Sequence, residues 1–248
     1  MSKTIGVFLS DIHLPDHIKL AGVIKYIKDL KPTLIILGGD VIDAKGMHGV
    51  ESMQASQIKL EWYERDTKLL RDFLLELKKA APKADLIYLE GNHEERYKRV
   101  MVRYPDAWGG RFDFHRDVVK KVFPSAKWIP YGTYDSYYKL GDTIFTHGNV
   151  YPTHHAKKYA EVFAPFKVVY GHLHHFQSHT IHSAMPTLPP HYGVTAGCLT
   201  HTAPEWKKGQ PNCWINGFID FVSDNGITTP TVHLIEQGSF HIAGKEYK

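Results

Sequence analysis

The chain has 248 residues, of which 43% are hydrophobic and 23% charged, a balance that excludes a disordered protein. Its formal net charge of +4 at pH 7 is compatible with a phosphate-bearing partner but does not require one. Two cysteines are too few for a disulfide framework, and we find neither a secretory leader nor an apolar run of about 20 residues. We therefore expect a cytoplasmic protein without a membrane span. Histidine is unusually frequent at 17 residues, and it is the commonest metal ligand.

Strands and helices alternate in the first half of the chain. Apolar runs at 4–9, 33–37 and 85–89 predict short buried strands. Apolar residues at helical spacing predict helices over about 16–30 and 55–79. This alternation is typical of an α/β sheet.

The second half of the chain is richer in predicted strands. The predicted strands lie at 127–129, 134–140, 143–146, 167–170, 176–182, 214–222 and 227–235, with one helix at 155–163. Several Pro and Gly residues between 185 and 217 predict a long ordered loop. Because the sequence contains neither internal repeats nor a low-complexity linker, we expect residues 1–248 to form a single domain.

Polar clusters follow nearly every predicted buried strand. The clusters are Asp11-Ile-His13, Gly39-Asp40-Val-Ile-Asp43, Gly91-Asn92-His93-Glu94, Thr146-His147-Gly148 and Gly171-His172-Leu-His174. Each cluster alone is weak evidence, since an Asp can cap a helix and a Gly-Asp pair is common in turns. Ligands of open α/β sheets bind at the carboxyl ends of the strands, so five such clusters together predict one shared metal site.

These five segments resemble the signature blocks of the calcineurin-like metallophosphoesterases, in particular stand-alone bacterial or phage-type members. The match extends over residues 11–174. The resemblance implies an α/β fold, namely a four-layer αββα sandwich of two mixed β-sheets flanked by helices. It also implies a dinuclear metal centre at the ends of the strands.

The resemblance further implies a role for nine residues. One divalent cation would be held by Asp11, His13, Asp40 and His174. The second would be held by Asp40, Asn92, His147 and His172, so that Asp40 bridges the two. His93 matches the catalytic histidine that does not bind metal, and Asp43 matches the aspartate that orients it.

The chemistry of these residue types agrees with such a centre. Oxygen and imidazole ligands without thiolate suit Mn²⁺ best, with Fe or Zn²⁺ as alternatives. Two cations about 3.5–4 Å apart can clamp a phosphoryl group and supply a metal-bound hydroxide as nucleophile. His93 would then protonate the leaving oxygen. The sequence thus predicts a hydrolase that acts on phosphoester bonds.

The substrate class is less tightly constrained. Residues 96–127 hold nine basic and three acidic residues, interleaved with Tyr97, Tyr104, Trp108, Phe112 and Phe114. This stretch is either a nucleic-acid groove with stacking platforms or a solvated basic face whose aromatic rings pack inward. Protein serine/threonine phosphatases carry arginine directly after the GDxxD segment, where this chain has Ala44, which argues against a phosphoprotein substrate.

We therefore predict a phosphodiesterase or nuclease-type activity on nucleic acid or nucleotides. Two alternatives remain open at this point. One is a phosphomonoesterase, that is, a phosphatase acting on small metabolites or phosphoproteins. The other is a non-catalytic binding scaffold of the same fold. The sequence leaves the oligomeric state undetermined.

Overall fold

The computed structural model of the protein describes residues 3–150, 152–182, 189–204 and 207–248. Its strands are β1 (Thr4–Leu9), β2 (Leu34–Leu37), β3 (Asp85–Leu89), β4 (Lys127–Ile129), β5 (Tyr137–Leu140), β6 (Thr143–Thr146), β7 (Lys167–Tyr170), β8 (Phe176–Ile181), β9 (His191–Ala196), β10 (Asn216–Asp224), β11 (Ile227–Ile235), β12 (Phe240–Ile242) and β13 (Lys245–Tyr247). Its helices are α1 (Ala21–Leu30), α2 (Leu60–Ala80), α3 (Asn92–Arg103), α4 (Pro105–Trp108), α5 (Lys120–Val122) and α6 (His155–Val162).

The strands form two mixed sheets and a small hairpin. The larger sheet has the order β11-β10-β1-β2-β3-β4, in which β1 to β4 are parallel and β10 is antiparallel to both of its neighbours, β1 and β11. The second sheet has the order β5-β6-β7-β9-β8, with β6, β7 and β9 parallel. β12 and β13 pair with each other. Parallel neighbours end at the same edge, so each sheet delivers several strand ends to one place.

Apolar side chains from both sheets form the central layer of the molecule. Phe8 and Phe221 of the larger sheet pack with Phe145 and Val169 of the smaller one. The other face of the larger sheet is covered by α1, α2 and α3, and α6 covers the smaller sheet. This arrangement is a four-layer αββα sandwich, so the predicted fold class is confirmed. Strands buried on both faces explain why the sequence runs are continuously apolar.

The helices begin later than the sequence pattern predicts. α1 begins at Ala21 because Leu14 and His17 instead form isolated bridges with Ile42 and Thr200. The segment Ala55–Gln57 is a separate 3₁₀ turn, and α2 begins only at Leu60. Across the residues that the structure describes, none of the helices is both long and apolar enough to cross a bilayer.

The prediction of a loop over residues 185–217 is wrong for part of that range. Strand β9 lies within it and pairs with β7 and β8. Val194 and Ala196 of β9 are buried between the sheets, a tertiary contact that the Pro-rich flanks and Gly193 conceal in the sequence. Residues 185–188, 205 and 206 of this stretch lie outside the described residues.

Of the two interpretations of residues 96–127, the structure agrees with inward-packing aromatic rings and not with a stacking platform. Tyr97, Phe112 and Phe114 are buried in the helical core, and their rings contact one another and Tyr63. Tyr104 and Trp108 pack against the same core, and their hydroxyl and indole N–H donate to the carbonyls of residues 53 and 55. The competing interpretation, with inward aromatic rings, describes this segment.

We expect Phe221→Ala to lower the free energy of unfolding by about 3–5 kcal/mol, because the ring is buried between the sheets and packs over Gly6. Urea denaturation followed by circular dichroism would measure this loss. Val222→Ala, at the adjacent, exposed position, is the matched control and should cost less than about 1 kcal/mol. Equal losses at both positions would contradict this account of the central layer.

Candidate metal centre

The five polar clusters meet at one end of the sandwich. Asp11 and Asp40 follow β1 and β2, and Asn92 begins α3 directly beyond β3. From the facing sheet, His147 follows β6, and His172 follows β7. Each set of strands is parallel within its own sheet, so the two edges place these side chains opposite each other. The structure brings all nine predicted site residues into this cluster.

A first group of donor atoms converges around His13. Its Nε2 atom lies 3.2 Å from Nε2 of His174 and 3.9 Å from Oδ2 of Asp40. Nε2 of His174 also lies 3.3 Å from Oδ1 of Asp11. All four side chains are buried.

A second group converges around His147 and shares Asp40 with the first. Nε2 of His147 lies 3.1 Å from Oδ1 of Asn92, 3.2 Å from Nδ1 of His172 and 3.4 Å from Oδ2 of Asp40. Asp40 therefore stands between the two groups, with its Oδ2 atom facing both.

These separations fit cation sites. Donor atoms that each lie about 2.1 Å from one cation are roughly 3.0–3.5 Å apart at octahedral or tetrahedral angles. The lone pairs of two imidazoles and a carboxylate, by contrast, repel one another at 3.2–3.3 Å unless a cation or a proton lies between them. The donor set holds oxygen and imidazole without thiolate, which suits Mn²⁺, Fe or Zn²⁺.

Hydrogen bonds on the outer side of the rings orient two of the imidazoles. Nδ1–H of His147 donates to the carbonyl oxygen of Gly38 at 2.7 Å, which leaves Nε2 as the inward acceptor. Nδ1–H of His13 donates to Oδ1 of Asp43 at 3.2 Å. Such outer partners fix the tautomer and orientation of a metal-binding histidine.

The backbone of the cluster is strained. Five of the residues have positive φ angles, with values of 56° for Asp11, 54° for His13, 51° for Asp40, 78° for His172 and 59° for His174. Residues other than glycine seldom adopt this region, and each instance costs about 1–3 kcal/mol. Strain concentrated at one edge of the fold indicates a functional site.

Glycines next to the cluster allow the chains to approach closely. A Cβ atom on Gly91 would overlap the backbone nitrogen and Oδ1 of Asp40, and one on Gly171 would overlap Ser10 and Asp11. A Cβ atom on Gly39 would meet the ring of His147, and φ is +89° there. These positions require glycine because larger residues would displace the donor groups.

His93 lies beside both groups. Its Nδ1–H donates to the carbonyl oxygen of Asp43 at 2.6 Å, and Oδ1 of the same residue lies 3.3 Å from Nδ1. Nε2 lies 3.8 Å from Oδ2 of Asp40. Asp43 thus holds His93 with its backbone as well as with its carboxylate.

Charges in the cluster shift the pKa values of its members. Burial works to raise the pKa of Asp40, yet the charges of His93 and His147 hold it well below its usual range. Burial alone would lower the pKa of His147, but Asp40 raises it to about 9. Burial and repulsion from His147 lower the pKa of His172 to about 4. Asp40 therefore favours positive charge in its surroundings, whether a proton or a metal ion supplies it.

A cavity of about 460 Å³ opens over the cluster. His93, His48 and Arg96 lie along one side of it, and Trp214 lies on another, with its ring 4.2 Å from that of His174. Among the described residues that line this cavity, Arg96 is the only Arg or Lys. Its guanidinium nitrogens lie 3.0 and 3.1 Å from the ring nitrogens of His93. The cavity therefore has a polar floor and one positively charged side chain, Arg96, which is suited to binding an anion.

Comparison with protein families decides the assignment. The family model described as calcineurin-like phosphoesterase matches residues 7–204, about four fifths of the chain. The chain belongs to the calcineurin-like phosphoesterases. The family predicted from the five polar segments is thereby confirmed. A search of curated proteins finds no match.

Solved structures with a similar fold include three Vps29 proteins. Vacuolar protein sorting 29 from Cryptosporidium parvum is 11% identical, with a TM-score of 0.49 over 99% of this chain and 98% of that one. Chaetomium thermophilum Vps29 is 12% identical, with a TM-score of 0.45 over 98% and 96%. Wild-type Vps29 from Entamoeba histolytica, complexed with zinc, is 10% identical, with a TM-score of 0.46 over 96% of each chain. At TM-scores below 0.5, we draw no functional conclusion from them.

Glu94 has a positional role that the sequence analysis did not recognise. The side chain of Glu94 is buried, and it accepts hydrogen bonds from the backbone N–H groups of Asp40, Val41 and Gly91 at 2.7–3.0 Å. The hydroxyl of Tyr88 donates to it at 2.9 Å. Burial and the charge of Asp40 raise the pKa of Glu94. The only signal in the sequence is its place three residues after Gly91, the N-cap residue of α3, where its carboxylate accepts from the backbone N–H of Gly91.

Glu94→Ala should lower the free energy of unfolding by about 3 kcal/mol, because it leaves several buried N–H groups without an acceptor. Chemical denaturation of both proteins would measure the difference. Glu95→Ala is the matched control, since Glu95 pairs with Arg99 near the surface and should contribute less than about 1 kcal/mol. If Glu94→Ala were as stable as Glu95→Ala, Glu94 would not hold the Asp40 segment.

Proposed function

We propose that this protein is a metal-dependent phosphodiesterase that hydrolyses phosphodiester bonds of nucleotides or nucleic acid. The observation that carries the proposal is the convergence of two groups of oxygen and imidazole donors on one shared carboxylate, Asp40, at the floor of a cavity. The family assignment supports phosphoester chemistry at this place.

The donor groups are suited to two divalent cations, for which we propose Mn²⁺ ahead of Fe or Zn²⁺. The first cation would be held by Asp11, His13, Asp40 and His174, and the second by Asp40, Asn92, His147 and His172. When bound, such a pair supplies Lewis acidity towards the phosphoryl oxygens and towards water.

His93 is the residue that we propose as the proton donor to the leaving oxygen. Its Nδ1–H is engaged by the carbonyl of Asp43, so the proton would be donated from Nε2, which lies 3.1 Å from Nη2 of Arg96. Burial opposes a charge on this ring, but Asp40 and Asp43 raise the pKa of His93 above its usual value and favour the protonated, donating form. Asp43 would position the ring without touching the substrate.

Arg96 supports the choice of a diester. A phosphodiester carries one negative charge, and Arg96 is the one Arg or Lys among the described residues that line the cavity. Its planar guanidinium is suited to two hydrogen bonds with phosphate oxygens. A phosphomonoester carries close to two negative charges and would be bound better by a cavity lined with more than one Arg or Lys.

Metal binding provides the first test. Mn²⁺ at about 100 times its Kd should stabilise the wild-type protein by about 2.7 kcal/mol and raise its Tm by roughly 5–10 °C. Asp40→Asn should lose most of this shift, because it removes the shared carboxylate. Asp224→Asn, at an exposed position on β10, is the matched control and should keep it. A shift that survives unchanged in Asp40→Asn would place the metal elsewhere.

Catalysis provides the second test. His93→Ala should lower kcat for bis-p-nitrophenyl phosphate by about 10²–10⁴-fold while keeping the Mn²⁺-dependent rise in Tm. The chelated wild-type protein should be inactive, and His179→Ala on the exposed part of β8 should behave like wild type. If the protein hydrolysed p-nitrophenyl phosphate, a monoester, faster than the diester, it would be a phosphatase and not a phosphodiesterase. Metal binding without hydrolysis of any phosphoester would favour a binding scaffold.

A further inference from the structure

A second and larger cavity lies on the other side of His147. We call it the tyrosine groove; it has a volume of about 740 Å³. The described residues that line it are Tyr131, Gly132, Thr133, Tyr134, Ser136, Tyr137, Thr146, Gly148, Asn149, Val150, Lys158, Tyr159, Val162 and Phe163. Its size falls within the range of ligand sites, which is about 300–1,000 Å³.

The tyrosine groove adjoins the candidate metal centre. Thr146 and Gly148, the residues on either side of His147, both line it. The ring of Tyr131 lies 5.7 Å from the ring of His147. Tyr131 stands two residues beyond β4, at the same edge of the larger sheet as Asn92 beyond β3. A phosphate at the metal centre would therefore have one of its ester groups directed towards the groove.

The lining combines aromatic faces with polar groups. Tyr134 is fully exposed, and Val162 is 59% exposed, so apolar surface is left open here. The hydroxyl of Thr133, the amide of Asn149 and the ammonium of Lys158 stand beside it. Of the lining residues that the structure describes, none is acidic. The tyrosine groove is thus suited to a ligand with planar rings, hydroxyl groups and negative charge.

We propose that the tyrosine groove binds the nucleoside on one side of the scissile phosphodiester, with the base stacked on Tyr134. This inference rests on the proposed function and assigns the subsite that binds part of its substrate. Stacking on aromatic rings tolerates any base and contributes about 1–3 kcal/mol per base. Lys158 meets the next phosphate along the strand, because the groove offers that charge no other described Lys or Arg.

This choice of ligand follows from the same lining. A simple alkyl ester would leave the aromatic faces and Lys158 unused. An extended peptide bound to the groove would need a run of backbone donors and acceptors at a sheet edge. Of the described lining residues, Tyr137 alone lies on an edge strand, β5, and Thr146 lies on β6, whereas the others lie in loops and in or next to α6. A nucleoside followed by a phosphate uses all three kinds of group.

The test compares two diesters with the same leaving group, thymidine 5′-p-nitrophenyl phosphate and methyl p-nitrophenyl phosphate. The Mn²⁺-loaded wild-type protein should favour the thymidine ester in kcat/KM by tenfold or more. Tyr134→Ala should reduce this preference by about 5-fold or more, mainly through KM, and Tyr134→Phe should restore it. An unchanged preference in Tyr134→Ala would overturn the proposal.

Lys158 is tested with a second pair of esters. Adding a 3′-phosphate to the thymidine ester should lower KM in the wild-type protein. Lys158→Ala should abolish this gain, and Lys157→Ala is the matched control because Lys157 pairs with Glu161 and does not line the groove. Equal effects of the two lysine variants would contradict the assignment of Lys158.

A binding measurement separates this proposal from the proposed function. Thymidine 3′,5′-bisphosphate should bind the Asp40→Asn protein, as measured by calorimetry, and binding should weaken at least 5-fold on addition of Tyr134→Ala. If the nucleotide binds in this way but no ester is hydrolysed, the proposed role of the groove is supported and the proposed phosphodiesterase activity is contradicted. If both esters are hydrolysed equally well and the nucleotide does not bind, the proposed phosphodiesterase activity is supported and the proposed role of the groove is contradicted. Binding of a phosphotyrosine peptide in preference to the nucleotide would also overturn the groove's assignment.

Discussion

The constraint on which the structure depends is the placement of one carboxylate among imidazoles. Asp40 is buried, and Nε2 atoms of His13, His93 and His147 lie 3.4–3.9 Å from its Oδ2 atom. Desolvation of a carboxylate costs several kcal/mol unless positive charge surrounds it. The position of this side chain is held from outside by Glu94, whose carboxylate binds the backbone of the same loop. The end of the larger sheet is built around that arrangement.

Backbone conformations at the site follow from the same constraint. Short strands bring their ends together, but donor atoms on neighbouring strands point in different directions unless the chain turns sharply after each strand. The left-handed conformations of Asp11, Asp40 and His174 provide those turns. Their cost is offset by backbone hydrogen bonds that link the loops, such as Asp11 N–H to Gly39 and His13 N–H to Asp40.

Much of this arrangement could be predicted from the sequence, for identifiable reasons. β1 and β3 were predicted at their observed bounds because buried strands leave continuous apolar runs, and the polar residues after them mark the strand ends. β9 was not predicted, since its burial depends on a partner sheet distant in the chain. For Tyr97 the sequence left inward packing and base stacking open as alternatives, because a basic face and a nucleic-acid groove share the same residue pattern.

Within the site, residue types were easier to predict than geometry. Asp, Asn and His after successive strands are visible in the sequence, and the structure places them together. The left-handed φ angles of non-glycine residues leave no mark in composition or spacing, so the strain could not be foreseen. Arg96 and most residues of the tyrosine groove lie outside the five segments, and only the folded chain shows that they lie next to the cluster.

The candidate ligands come from both sheets, with Asp11, Asp40 and Asn92 from the larger sheet and His147 and His172 from the smaller one. A cation pair held by all of them would form a further link between the two sheets, in addition to the apolar contacts of the central layer and to hydrogen bonds such as that from His147 to Gly38. Sliding of one sheet against the other by a single residue, about 3.3 Å, would break it. Metal loading would therefore govern how fast the layers separate, and so the lifetime of the folded chain against proteases.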